Sequence, residues 1–112
     1  MSISVIDLER RGETALHEFS ARTDTGRDHD LESQAQRLEA KLEQLYVLAV
    51  TMAGREPTLE GVTSIWKRLV TICDSMAKAL ASRRDHLSSC SEAYDRILDI
   101  RNACEDNRAL HT

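Results

Sequence analysis

The chain has 112 residues, of which 30% are charged, and a formal net charge of −4. This length suits one domain and leaves no room for a catalytic domain beside a regulatory one. One proline and four glycines are too few for the turns of an all-β protein. Interleaved acidic and basic residues argue against nucleic-acid binding, and no apolar run reaches the ~20 residues that span a bilayer.

The first helix is predicted at about 4–21, within a single all-α domain that covers residues 1–112. Its apolar residues form one rough stripe, made by Val5, Leu8, Ala15, Leu16 and Phe19. Gly12 interrupts this stripe and weakens an isolated helix by about 1 kcal/mol relative to Ala. A polar loop follows, and Asp28 is the expected N-cap of the next helix.

The second helix, about 29–53, has the most regular pattern in the chain. Its apolar residues alternate at spacings of four and three, namely Leu31, Ala35, Leu38, Leu42, Leu45, Ala49 and Met52. This spacing is the a/d seam of a coiled coil. Glu39 and Glu43 share one face, so same-face ion pairs do not stabilise the helix and packing must do so.

The segment from Gly54 to Pro57 predicts a tight turn between antiparallel helices. Gly54 suits the left-handed position after a helix, and Pro57 suits the first turn of the next one. A turn this short folds the second and third helices into an antiparallel hairpin.

The C-terminal half allows two arrangements. The four-three spacing runs through Val62, Trp66, Leu69, Cys73, Met76 and Leu80, and its phase continues through Leu87, Cys90, Tyr94, Ile97 and Cys104. A break within 82–91, favoured by the serines of that segment, gives helices at about 58–83 and 88–109 and a compact four-helix bundle. One continuous helix of about 75 Å would instead need a coiled-coil-like dimer to cover its stripe.

No residue pattern points to a catalytic, cofactor or metal site, and we expect a protein that is not an enzyme. A di-metal bundle needs Glu-x-x-His motifs, which the sequence lacks. His86 and Cys90 have ligand-like spacing, but a structural zinc needs four ligands. Cys73, Cys90 and Cys104 are odd in number and far apart, which favours buried thiols in the reducing cytoplasm.

Asp85-His86-Leu87-Ser88-Ser89 is the segment nearest to a phosphoacceptor motif. In length and helical class the chain resembles histidine phosphotransfer domains, whose reactive histidine is exposed on a helix. The resemblance implies a regulatory role for His86. The segment departs from the family pattern, because its leucine comes one position early and the lysine and glycine are missing.

The expected function is non-catalytic protein–protein interaction, as a small adaptor, an assembly subunit or a homodimeric scaffold. A chaperone for the amphipathic helix of a partner is an alternative, beside the phosphotransfer-like bundle. The predicted packing centre consists of Leu38, Leu42, Leu45, Trp66, Leu69 and Met76. The region predicted to meet another chain consists of Leu87, Tyr94 and Ile97.

Overall fold

The computed structural model describes residues 4–23, 28–82 and 87–110, with the side chains of these residues apart from 23, 28–30 and 87–89. The described residues form four α-helices and no strand, which confirms the all-α, four-helix prediction. The helices are α1 (Val5–Thr23), α2 (Asp28–Arg55), α3 (Leu59–Ala81) and α4 (Leu87–Leu110). No helix within these ranges is long and apolar enough to cross a membrane.

The helices form a bundle in which α2 and α3 are the central pair and α1 and α4 flank it. Two contacts give the relative direction of α1 and α3. Glu9 of α1 pairs with Arg68 of α3, and Gly12, further along α1, lies against Ile72, further along α3. The two helices are therefore parallel, with α2 antiparallel to both. This up-down-up-down order is the expected result of short connections between successive helices.

The predicted seam of α2 lies in the hydrophobic core. Six of its seven residues are buried, and Met52 is half-buried against them. In α3 the whole predicted stripe is buried, together with a second row that the four-three spacing did not identify, namely Ile65, Val70, Ile72 and Ala77. The helices α1, α2 and α4 all pack against α3, and its apolar residues cover the arc that faces them.

Gly12 lies within the buried face of α1, between Leu8 and Ala15. A Cβ atom at this position would stand 2.9 Å from three side-chain atoms of Ile72. The missing side chain therefore lets α1 approach α3 closely. Gly12 does not interrupt the apolar stripe as expected, since it is buried within that stripe and faces Ile72 of α3.

Two helix ends differ from the sequence prediction. Gly54 belongs to α2, which continues to Arg55, so the glycine is not the left-handed residue after the helix. The N-cap of α3 is Thr58, whose hydroxyl accepts a hydrogen bond from the Gly61 N–H at 3.0 Å. Pro57 therefore precedes the cap instead of occupying the first turn. A threonine hydroxyl satisfies an amide of the first turn, as proline cannot.

The starts of the first two helices also show their local causes. Ser4 caps α1 in a reciprocal arrangement: its hydroxyl accepts from the Asp7 N–H at 3.3 Å, and its own N–H donates to the Asp7 carboxylate at 3.2 Å. This is the capping-box geometry with Asp in place of Glu. Asp28, the predicted N-cap of the second helix, is the first residue of α2, and its side chain lies outside the described residues.

The C-terminal half forms two helices instead of one continuous helix. The third helix ends at Ala81, and the Ser82 N–H donates to the Lys78 carbonyl at 2.9 Å. The fourth helix begins at Leu87 and packs along α3. The stripe that a long helix would have left open is therefore covered within the chain.

Candidate functional site

The predicted packing centre holds the bundle together. Its six residues belong to one cluster and each is at most 4% exposed: Leu38, Leu42, Leu45, Trp66, Leu69 and Met76. Burial of each large apolar side chain contributes about 1.5–3 kcal/mol to folding. These side chains pack in the core, although Leu38 and Leu45 also line the bottom of a depression between α1 and α2.

Trp66 fills the core between α2 and α3 and is 3% exposed. Its ring centroid lies 5.7 Å from that of Tyr46, with the ring planes tilted by 48°, which is a favourable distance for an aromatic pair. The Trp66 Nε1 group is buried and has no hydrogen-bond partner among the described residues. The Tyr46 hydroxyl accepts from the Asn107 side chain at 3.3 Å, which connects the pair to α4.

The region predicted to meet another chain is only partly at the surface. Ile97 is fully buried in the core of the bundle. Tyr94 is half-buried and packs against the same core. The backbone of Leu87 begins α4, while its side chain lies outside the described residues. The structure therefore assigns Ile97 to internal packing.

The candidate reactive groups are separated or enclosed. All three cysteines are buried. A hydrogen bond between the side chains of Cys73 and Cys104, together with burial, raises the pKa of the Cys73 thiol well above its usual range. Such a thiol is a poor nucleophile. His86, with its proposed partnership to Cys90, lies outside the described residues. Among the residues the structure describes, no group of three or more His, Cys, Asp or Glu is placed to hold a metal ion.

An exposed strip without charge runs along the outer side of α2. Residues 44–54 contain no Asp, Glu, Lys or Arg, although charged residues make up 30% of the chain. Val47 is 65% exposed and Val50 is 47% exposed. They are one helical turn apart and so share a face. We call the exposed residues Gln44, Val47, Val50 and Thr51 the α2 ridge.

A groove between α1 and α2 borders the ridge on one side. It encloses about 500 Å³, and its apolar floor is formed by Ala15, Leu45, Val47 and Leu48. It continues along the same two helices past Ala15 and Lys41 towards the other end of the bundle. We call the whole depression the α1–α2 groove. Its rims are rich in basic side chains, namely Arg10, Arg11, Arg22, Arg37 and Lys41.

A second groove, between α2 and α4, borders the ridge on its other side and encloses about 810 Å³. Apolar and charged residues both line it, namely Ala40, Tyr46, Val47, Ile100, Ala103, Glu43, Arg96 and Asp99. Arg96 forms its rim by bridging two carboxylates of α2: it donates to Glu39 at 3.0 Å and also to Glu43. The two glutamates raise the pKa of Arg96. The like-charged pair of α2 is thus neutralised by a cation from another helix.

Sequence reasoning missed this surface because Val47 and Val50 fall outside the phase of the core seam. One signal was available: residues 44–54 are an uncharged stretch longer than the seam alone requires. Among the residues that the structure describes, the other large exposed apolar ones are Ile6, Leu59 and Leu110, which lie near helix ends and far from one another along the chain. No protein-family model, no curated protein and no solved structure matches this chain.

Proposed function

We propose that this chain is a non-catalytic protein–protein interaction module that binds its partner through the α2 ridge and the two grooves beside it. The observation that carries the proposal is the pair of exposed valines on an uncharged helix face, Val47 and Val50. Contiguous exposed apolar surface with a polar rim is typical of interaction sites, whereas single exposed apolar residues are ordinary.

Hydrophobic burial at this ridge is large enough to matter for binding. A fully buried valine side chain contributes about 1.5–3 kcal/mol, so covering the exposed parts of Val47 and Val50 would supply about 2 kcal/mol. The adjoining grooves add apolar floor from Leu48 and Ile100. The ridge therefore resembles the centre of a protein–protein interface, in which an apolar patch is surrounded by a charged rim.

The shifted pKa values of the charged side chains each have a local structural cause. The pKa of Asp7 is lowered by hydrogen bonds from Ser4 at the start of α1. Those of Arg96 and Arg101 are raised by hydrogen bonds to carboxylates of neighbouring helices. Buried thiols at Cys73 and Cys104 fit a chain that works in the reducing cytoplasm, which we propose as its compartment.

The experiment is affinity purification of the tagged full-length chain from cells that produce it, with variants that differ only on the surface. Val47→Glu places a charge on the ridge. Thr71→Glu is the matched control, because Thr71 is exposed on α3. Circular dichroism and the melting temperature establish that both variants fold as the parent chain does.

We expect a discrete partner, or a second copy of the chain, to be retained by the parent and by Thr71→Glu and lost by Val47→Glu. Retention of the same proteins by all three chains would refute the proposal. Recovery of no partner by the parent chain would refute it as well.

A further inference from the structure

The α1–α2 groove has a charge opposite to that of the whole chain. Three basic side chains line its first part, Arg10, Arg11 and Lys41, and two more, Arg22 and Arg37, line its continuation. Glu18 is the one acidic residue of this lining. The chain itself carries a formal charge of −4. A positive groove on a negative protein selects an acidic ligand.

The two rims of the groove are both basic. Arg10, Arg11 and Arg22 stand on α1, while Arg37 and Lys41 stand on α2. Within the described part of the chain, no carboxylate forms a salt bridge with Arg10, Arg11 or Lys41. A bound segment would therefore meet positive charge along both of its edges, although Arg10 and Arg11 also interact electrostatically with Asp7.

The floor between the rims is apolar. Its accessible apolar surface comes from the half-buried Leu48 and from the exposed Val47 of the ridge at its edge, while Ala15 is buried. Burying this floor requires an apolar stripe on the ligand, which a phosphate backbone lacks. Bases of single-stranded nucleic acid bind by stacking on exposed aromatic rings, but Phe19, the aromatic residue of this groove, is 3% exposed. The floor therefore favours a peptide over a nucleic acid.

The length of the groove sets the size of the ligand. Its lining on α1 runs from Arg10 to Arg22, which corresponds to about 18 Å at 1.5 Å per residue. A helical segment of about 12 residues, or three turns, has the same length. An amphipathic helix of that size presents one apolar stripe through positions i, i+3, i+4 and i+7.

We propose that the α1–α2 groove binds an acidic amphipathic helix of about 12 residues from a partner protein. The helix places its apolar stripe on the floor and carries Asp or Glu on both sides of that stripe, facing the basic rims. This inference rests on the proposed function and specifies its partner. It also gives the chaperone alternative a defined client, an acidic amphipathic helix that is shielded while bound.

The test uses two synthetic helical peptides of 12–16 residues labelled with fluorescein. Both have leucines on one stripe; one carries Glu on both flanks, and the other carries Lys at the same positions. Binding to the full-length chain is followed by fluorescence anisotropy. The variant Arg37→Gln/Lys41→Gln removes two rim charges, and Lys67→Gln/Lys78→Gln removes two exposed charges from α3 as the matched control.

We expect the Glu peptide to bind at least tenfold more tightly than the Lys peptide, and we expect its affinity to fall as salt is added. Removal of the two rim charges should lower the affinity for the Glu peptide about tenfold, since two ion pairs at a partly desolvated site together correspond to about one decade in Kd. The α3 control should bind as the parent chain does.

Equal binding of the two peptides, no binding of either, or an unchanged affinity in Arg37→Gln/Lys41→Gln would overturn the inference. Displacement of the Glu peptide by single-stranded RNA would assign the groove to nucleic acid, and its displacement by a second copy of the chain would assign it to self-association. Each of those results also overturns it. If the peptides fail while Val47→Glu still abolishes recovery of a partner from cells, the proposed function stands without this partner.

Discussion

Replacing Gly12 with alanine tests how the bundle brings α1 against α3. Alanine is the better helix former by about 1 kcal/mol, so helix propensity alone predicts that Gly12→Ala stabilises the protein. In the fold the added methyl group would stand 2.9 Å from three atoms of Ile72, well inside the optimal carbon–carbon contact of roughly 3.5–4.0 Å. Ile72 is 5% exposed and branched near the backbone, so it has little room to move.

Overpacking of this kind costs about 1–3 kcal/mol. After the gain in helix propensity is subtracted, Gly12→Ala should lower the free energy of unfolding by about 1 kcal/mol. Gly54→Ala is the matched control, because nothing lies within 4 Å of its added Cβ. It should raise the free energy of unfolding by about 0.5 kcal/mol. The same substitution, Gly to Ala, is therefore expected to change the free energy of unfolding in opposite directions at the two glycines.

The assay is equilibrium unfolding in urea followed by circular dichroism at 222 nm, with the slope of the transition checked for constancy. The variant Ile72→Ala removes all three contacting atoms. In the Ile72→Ala background, Gly12→Ala should no longer destabilise the protein. It should instead raise the free energy of unfolding by as much as about 1 kcal/mol. A stabilising Gly12→Ala in the parent chain, or additive effects in the double variant, would refute the close approach of α1 to α3.

Three further predictions concern ion pairs, thiols and the first helix cap. Arg96→Ala should lower the free energy of unfolding because it leaves two neighbouring glutamates of α2 without their shared partner. Arg68→Ala, which breaks one exposed pair, should lower it less, and an equal loss in urea titrations would contradict this account. Cys73 and Cys104 should react with Ellman's reagent far more slowly in the native state than in urea, since both are fully buried; rapid native labelling would disprove their burial. The lowered pKa of Asp7 means that its cap stabilises α1 above the unfolded pKa, about 3.9, and is lost as the pH falls through the folded value. The protection of first-turn amides, which is the exchange rate corrected for its intrinsic pH dependence, should therefore fall below that range, and Asp7→Asn should abolish this loss.

The core of this fold is largely readable from sequence because four-three spacing marks residues that face a neighbouring helix. The fully buried residues of α2 all belong to the predicted seam. In α3 the same pattern found only part of the core, because a second buried row lies beside the stripe. One of its members, Ile72, stands against Gly12 of α1, and the position of α1 is not encoded in the local spacing of α3.

Close contacts and helix ends depend on distances that spacing does not encode. Gly12 reads as a weak point of α1 until Ile72 is known to stand against it. Gly54 reads as a helix stop, but Thr58 provides the cap that starts the next helix, so α2 can continue through the glycine. Glu39 and Glu43 read as a repulsive pair until Arg96 of α4 is placed between them.

The surface proposed to bind partners was less predictable than the core. Sequence reasoning placed the partner region at Leu87, Tyr94 and Ile97; the structure buries Ile97 fully and Tyr94 in part. The ridge at Val47 is exposed because α1 and α4 pack beside α2 and leave its outer side open. Which face stays open is a property of the assembled bundle, and the uncharged stretch 44–54 was its only trace in the sequence.

The most direct test of the α2 ridge is photo-crosslinking in cells that produce the protein. A benzophenone amino acid replaces Val47 on the ridge in one chain and Thr71 on α3 in the matched control, both of them exposed positions. Our account predicts a discrete crosslinked product from position 47 and none from position 71 after irradiation. Equal products at the two positions, or a product at position 71 alone, would contradict the assignment of the α2 ridge as the interaction surface.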